Sequence, residues 1–296
     1  MSSLSTSVPV GGPRRRSLRT AIARLELSKV AWVGIVMASA CVLVGLLGPF
    51  VAPHDPDAFV GPPLGLPTSE FPLGLDYLGR DAWSRFLWGG RTAILLALLG
   101  FALGGTVGLT LGLVSAYGRG IVSRLIDRAT EILVGFPSLV LMLLLVAALG
   151  PELWVIVVAL SVVHFPRVAR IVRAAGIDVR DTAYVEVAEA RGERRLYVMF
   201  REMLPGILPT FLVAAGIGIP ASILLVASLS FLGLGIQPPA SDWGLIISEN
   251  RVGLTTQPWA VVAPVGALAV LMIGVNVAID GLQRVRSLGA RRTGLE

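Results

Sequence analysis

The reactive side chains of this 296-residue chain are few. It holds one cysteine, Cys41, two histidines, His54 and His164, and a single lysine, Lys29, among 25 basic residues. A phosphate-binding loop needs a lysine preceded by spaced glycines and followed by Ser or Thr. Lys29 is followed by Val30 and has no such glycines before it, so the chain is not expected to bind nucleotide in that way. One cysteine and two histidines placed far apart make no metal cluster, and no cofactor is expected. His164 is expected to be hydrogen-bonded near a helix end, on the opposite side of a bilayer from His54. No nucleophile–base–acid set stands out. Asp76, Arg80, Asp81 and Arg85 crowd before an apolar run, where an interfacial helix with internal ion pairs or an external partner would explain them. The densest polar stretch is Arg180–Pro205, which is arginine-rich and set between two long apolar runs.

Those runs decide the class. Hydrophobic residues make up 54% of the chain and charged residues 15%, with a mean hydropathy of +0.78. Soluble domains carry roughly 25% charged residues, so an all-α polytopic membrane protein is expected. A spanning helix needs about 20 apolar residues. Six runs qualify or nearly so: Val30–Val51, Thr92–Tyr117, Ile132–Leu149 with Pro137 near its start, Leu153–Phe165 continuing to Val172, Gly206–Ile236 with Pro209 and Pro220, and Pro258–Ile279. This divides the chain into a tail (1–29), a first transmembrane helix (30–52), an external loop (53–91), a five-helix core (92–280) containing the 173–205 loop, and a second tail (281–296). Residues 1–20 are expected to be disordered. Within the confidently apolar stretches there is no Asp, Glu, Lys or Arg. Ion-coupled carriers normally need ionisable groups there, which weighs against the rival class of a secondary carrier acting alone.

Orientation follows from arginine placement. The loops before the first span, after the second, after the fourth and after the sixth hold 21 of the basic residues, against Arg80, Arg85, Arg91 and Arg251 on the other side. Basic loops stay in the cytoplasm. Both termini and the 173–205 loop are therefore expected there, in a bacterial cell (inner) membrane. This bias also accounts for the net charge of +6 without a nucleic-acid partner. Gly100, Gly104, Gly108 and Gly112 recur every fourth residue and form one stripe for close helix packing.

Within the polar loop, Asp181 or Thr182 can cap a helix starting near Ala183. Tyr184, Val185 and Ala188 share a face of that helix, with Val187 beside it. Gly192 can end it in a left-handed conformation. Leu196, Met199, Phe200, Met203 and Leu204 then form an apolar stripe on a second helix, which Pro205 closes. Periodicity alone leaves two readings open, a docking knob or a helix lying on lipid headgroups.

The order Glu186-Val187-Ala188, Gly192, Glu202-Met203-Leu204-Pro205 resembles the coupling motif of ABC importer permeases, with Val187 and Glu202 departing from the usual Ala and apolar residue. Three further segments resemble the C-type permease subunit of dipeptide/oligopeptide importers: Gly48–Pro56, Leu73–Arg85 followed by Gly89, Gly90 and Arg91, and Ser230–Pro239 with Trp243 and Gly244. Members of that branch also carry nickel and other small solutes. The resemblance implies a coupling-helix loop that docks a cytoplasmic ABC ATPase through Tyr184, Val185, Glu186, Ala188, Gly192, Leu204 and Pro205. It also implies a second homologous permease subunit and an extracytoplasmic substrate-binding protein.

Overall fold

The computed structural model describes residues 29–118 and 120–293; the side chains beyond Gly281 and the expected disordered tail lie outside what is described. Among the described residues ten α-helical segments follow in order. They are α1 (Lys29–Val51), α2 (Ala82–Tyr117), α3 (Ile121–Val134), α4 (Ser138–Leu149), α5 (Leu153–Arg180), α6 (Ala183–Ala190), α7 (Arg195–Tyr197), α8 (Leu204–Phe231), α9 (Trp243–Asn250) and α10 (Trp259–Thr293). A π-helical turn, Val198–Met203, joins α7 to α8.

Five of these stretches are long and apolar enough to cross a membrane. A sixth exists if α3 and α4 count as one span, although they meet at a 93° bend. The expected run Ile132–Leu149 therefore straddles a break. Gly135 ends α3, and Pro137 begins the next helix because it cannot continue the hydrogen-bond ladder of the previous one. The apolar content of the run was right, but its direction was not encoded in hydropathy. The fourth expected span is one unbroken helix of 28 residues, with Pro166 inside it. His164 lies in the middle of that helix, not near its end. It is buried, its Nε2 is 2.7 Å from Ser222 Oγ on α8, and Phe101 meets its ring edge-on.

α2 is the backbone of the molecule, and its tightest neighbour is α5. The glycine stripe forms the crossing. A Cβ built on Gly100 would lie 2.5 Å from that of Leu160. On Gly104, Gly108 and Gly112 it would lie 2.6–2.7 Å from the carbonyl oxygens of Ser161, Phe165 and Ala169. Lipid supplies little hydrophobic force to hold helices together, so such backbone contact is a main source of cohesion. Ser161 Oγ adds a hydrogen bond to the Gly100 carbonyl across the crossing. α1 packs on α2 and α10 through Gly48 and Gly34.

Candidate docking site

The chain turns sharply after α5, and α6 begins at Ala183. Thr182 holds the N-cap position with extended backbone. Its hydroxyl, however, donates to the Val179 carbonyl, and it is the Thr182 carbonyl that accepts from Val185 and Glu186. At the other end Gly192 has φ +75°. Its N–H donates to the Glu189 carbonyl, and the N–H of Glu193 donates to the Ala188 carbonyl. This paired closure with a left-handed residue is a Schellman motif, which glycine enters at no steric cost. The left-handed expectation for Gly192 is met.

The second half of the knob differs from the sequence reading. The stripe Leu196, Met199, Phe200, Met203, Leu204 assumes 3.6 residues per turn. The π turn takes in an extra residue and rotates the face. Val198, Met199, Met203 and Ile207 point inward instead. Leu196 and Phe200 are exposed, at 68% and 43%. The second helix is also not separate, since it runs on into α8.

Val185 and Ala188 join Val198, Met199 and Met203 in a buried cluster with Leu113 and Ala116 of α2 and Val168 and Val172 of α5. Two of the seven expected docking residues thus face their own chain and hold the knob to the ends of the two glycine-packed helices. Tyr184, Glu186 and Pro205 are exposed, Gly192 sits at the exposed tip, and Leu204 is half-buried. Arg180 reinforces the base through Nη1 to the Ala116 carbonyl at 3.0 Å. The outward surface is apolar for so polar a segment: Tyr184, Val187, Leu196, Tyr197 and Phe200. Tyr197, Phe200, Arg201 and Pro205 line an open groove there. A rigid, glycine-closed knob with an aromatic outer face can seat a protein partner and pass displacement directly into α2, α5 and α8.

Residues 108–289, more than half of the chain, match the family described as the binding-protein-dependent transport system inner membrane component. The chain belongs to this family. It is 32% identical to the dipeptide transport system permease protein DppC of Alkalihalophilus pseudofirmus over 90% of this chain and 88% of that protein. To the probable D,D-dipeptide transport system permease protein DdpC of Escherichia coli it is 33% identical, over 88% and 91%. To the glutathione transport system permease protein GsiD of Pectobacterium atrosepticum it is 35% identical, over 73% and 72%. Among solved structures, a chain of the MetNI methionine ABC transporter, in inward-facing conformations, shares the fold. Its TM-score is 0.52 at 19% identity, covering 69% of this chain and 95% of that one.

The permease carries a second built feature at the opposite end of α2. Asp76 and Arg80 are not on an interfacial helix. They lie in a loop whose glycines, Gly74 and Gly79, have φ of +69° and +83°, and the helix starts only after Asp81. Asp81 caps it by accepting from the backbone of Trp83 and Ser84 and receives the Ser84 hydroxyl at 2.6 Å. His54 Nδ1 reaches the same carboxylate at 3.0 Å. The ion pairs are only partly internal to this segment: Asp76 pairs with Arg80 and Arg85 within it, and both arginines also reach Glu249 outside it. Arg85 Nη1 meets Asp76 Oδ2 and Glu249 Oε2, each at 2.7 Å, and Arg80 Nε meets Asp76 at 2.8 Å. All four groups are nearly inaccessible. Glu249 lies on α9, 164 positions from Arg85, and sequence reasoning missed it. Burial, and then the Glu249 carboxylate, push the Tyr77 hydroxyl pKa up. Asp242, fully buried as the cap of α9, is pushed up to about 6 by desolvation, against the hydrogen bonds from Leu245 and Gly244 that lower it.

Gly192→Val tests the knob. Among the described residues no atom beyond its chain neighbours lies within 4 Å of a Cβ built there, so the penalty is one of backbone conformation, roughly 1 kcal/mol or more for a β-branched residue at positive φ. Membrane abundance is expected to stay normal while solute uptake and ATPase co-purification fall together. Normal uptake with normally bound ATPase would show that the turn is not required.

Proposed function

We propose that this chain is one of two permease subunits of an ATP-driven importer for short peptides. Its knob seats a cytoplasmic ATPase, and its opposite face receives solute from an external binding protein. The observation that carries the reading is the knob, whose buried half is fused to α2 and α5 and whose exposed half is aromatic. The relatives named for dipeptide, D,D-dipeptide and glutathione transport support the substrate class. The arginine bias supports cytoplasmic termini and a cytoplasmic knob. ATP-driven approach of the two ATPases would move each knob as a rigid body and tilt the spans attached to it.

Single cysteines in a Cys41→Ser background test the interface. Placed at Val187, Leu196 or Phe200, they are expected to cross-link to a co-expressed ATPase. Placed at Val185 or Ala188, which are buried, they are expected not to. The reverse pattern would overturn the docking face. The rigorously isolated chain is expected to hydrolyse no ATP, and turnover by it would overturn the division of labour.

A further inference from the structure

At the far end of α2 from the knob, a cleft of about 830 Å³ opens between the end of α1, segment 52–57, the early turns of α2, and Ala240–Ser241. Its polar lining is divided by charge. On the α2 wall stands Arg91, exposed, its guanidinium 5.7 Å from the centroid of the Phe50 ring. Thr92 follows it, and exposed Trp88 lies one turn before it. On the facing segment stand Asp55 and Asp57. Among the described residues the Asp55 carboxylate accepts only from the Asp57 backbone N–H, at 2.9 Å. Among the described residues neither aspartate nor Arg91 forms an ion pair. His54, which also lines the cleft, is already engaged by Asp81.

The position of the cleft matters as much as its charges. Arg91 is the last charged residue before the uncharged run Thr92–Tyr117, and α1 ends at Val51. Both helices therefore leave the hydrocarbon at this level, where Trp and Arg favour the headgroup layer. Immediately below, Leu95 and Leu99 on α2 and Leu47 on α1 are exposed. The site is polar at the interface and apolar on the membrane side.

We propose that this cleft binds an aminophospholipid of the phosphatidylethanolamine type. Its phosphate sits on Arg91 and Thr92, its ammonium between Asp55 and Asp57, and its acyl chains lie along Leu95 and Leu99. A zwitterionic peptide carries the same two charges, but it has no use for the exposed apolar surface below, and that surface decides for the lipid.

The test uses the full chain, purified with its co-expressed partner subunits and exchanged into nanodiscs. These contain equal phosphatidylethanolamine and phosphatidylglycerol, and retained lipid is read by native mass spectrometry. Selective retention of one phosphatidylethanolamine per chain is expected. Arg91→Gln should lower it about fivefold, the factor that roughly 1 kcal/mol per basic side chain corresponds to. Asp55→Asn with Asp57→Asn should instead reverse the preference towards phosphatidylglycerol, a change of selectivity that misfolding would not produce. Phosphoethanolamine without acyl chains should fail to compete. Equal retention of both lipids, or variants without effect, would reduce the cleft to ordinary lipid contact and overturn the proposal. Displacement of the lipid by a dipeptide at transport concentrations would also overturn it, in favour of a solute site.

Discussion

Glu249→Leu is expected to be among the most damaging substitutions of a single charged side chain in this permease. It leaves the guanidinium groups of Arg80 and Arg85 buried with only the Asp76 carboxylate between them. Removing one partner of a buried ion pair costs about 3–5 kcal/mol, because the remaining charge stays desolvated. Arg85 has little slack, since its Nη2 already lacks a hydrogen-bond partner among the described residues. The damage should spread, because Glu249 also receives the Tyr77 hydroxyl and neighbouring Asn250 accepts from the Tyr77 backbone. Segment 73–81 and α9 would separate. Thermal unfolding of the detergent-purified chain is expected to show a large fall in midpoint, little changed by added salt, since buried pairs are weakly screened. Arg85→Met alone should fall comparably. Arg85→Met with Glu249→Leu leaves the balanced Arg80–Asp76 pair and should lose less than the two single losses added together. Strict additivity would show that the two side chains act independently.

The features that could be read from sequence were those written in local periodicity. Apolar run length located the spans, because the bilayer requires a minimum length. The four-residue glycine repeat marked the face that meets α5. Gly192 was legible because glycine is the residue that enters a left-handed helix end most readily. What was not legible depends on contacts distant in sequence or on departures from ideal geometry. The 93° bend between α3 and α4 is invisible to hydropathy, although Pro137 stood beside it. The π turn at Val198–Met203 shifts a stripe that had been counted at 3.6 residues per turn, which exchanged Leu196 and Phe200 for Val198 and Ile207 on the inner face. Val185 and Ala188 fit the coupling pattern, but the pattern does not say which of its residues point inward. Glu249 pairs with arginines 164 and 169 positions away, which no local pattern announces.

Gly104→Leu is expected to separate α2 from α5 and with them the knob from its base. A Cβ at this position would stand 2.6 Å from the Ser161 carbonyl oxygen, 2.8 Å from its Cα and 3.1 Å from its carbonyl carbon. All three are backbone atoms of a continuous helix, so no side-chain rotation can relieve the contact. Overpacking of this kind typically costs 1–3 kcal/mol, occasionally more. Here the whole crossing must open, because Gly100, Gly108 and Gly112 are held equally close. Leu113 and Ala116 just beyond the stripe, with Val168 and Val172 packed on Gly108 and Gly112, clasp the knob. Spreading the helices at Gly104 should therefore loosen Val185, Ala188 and Met203 as well. Gly216→Leu on α8 is the matched control, since among the described residues no atom outside the local backbone lies within 4 Å of a Cβ there. The comparison is ATPase retained per permease on purification, together with thermal midpoint. Gly104→Leu should lower both and Gly104→Ala should lower both less, while Gly216→Leu should change neither much. A Gly104→Leu variant that retained ATPase and midpoint would show that the two helices can part without disturbing the knob, and rigid transmission from knob to spans would then fail.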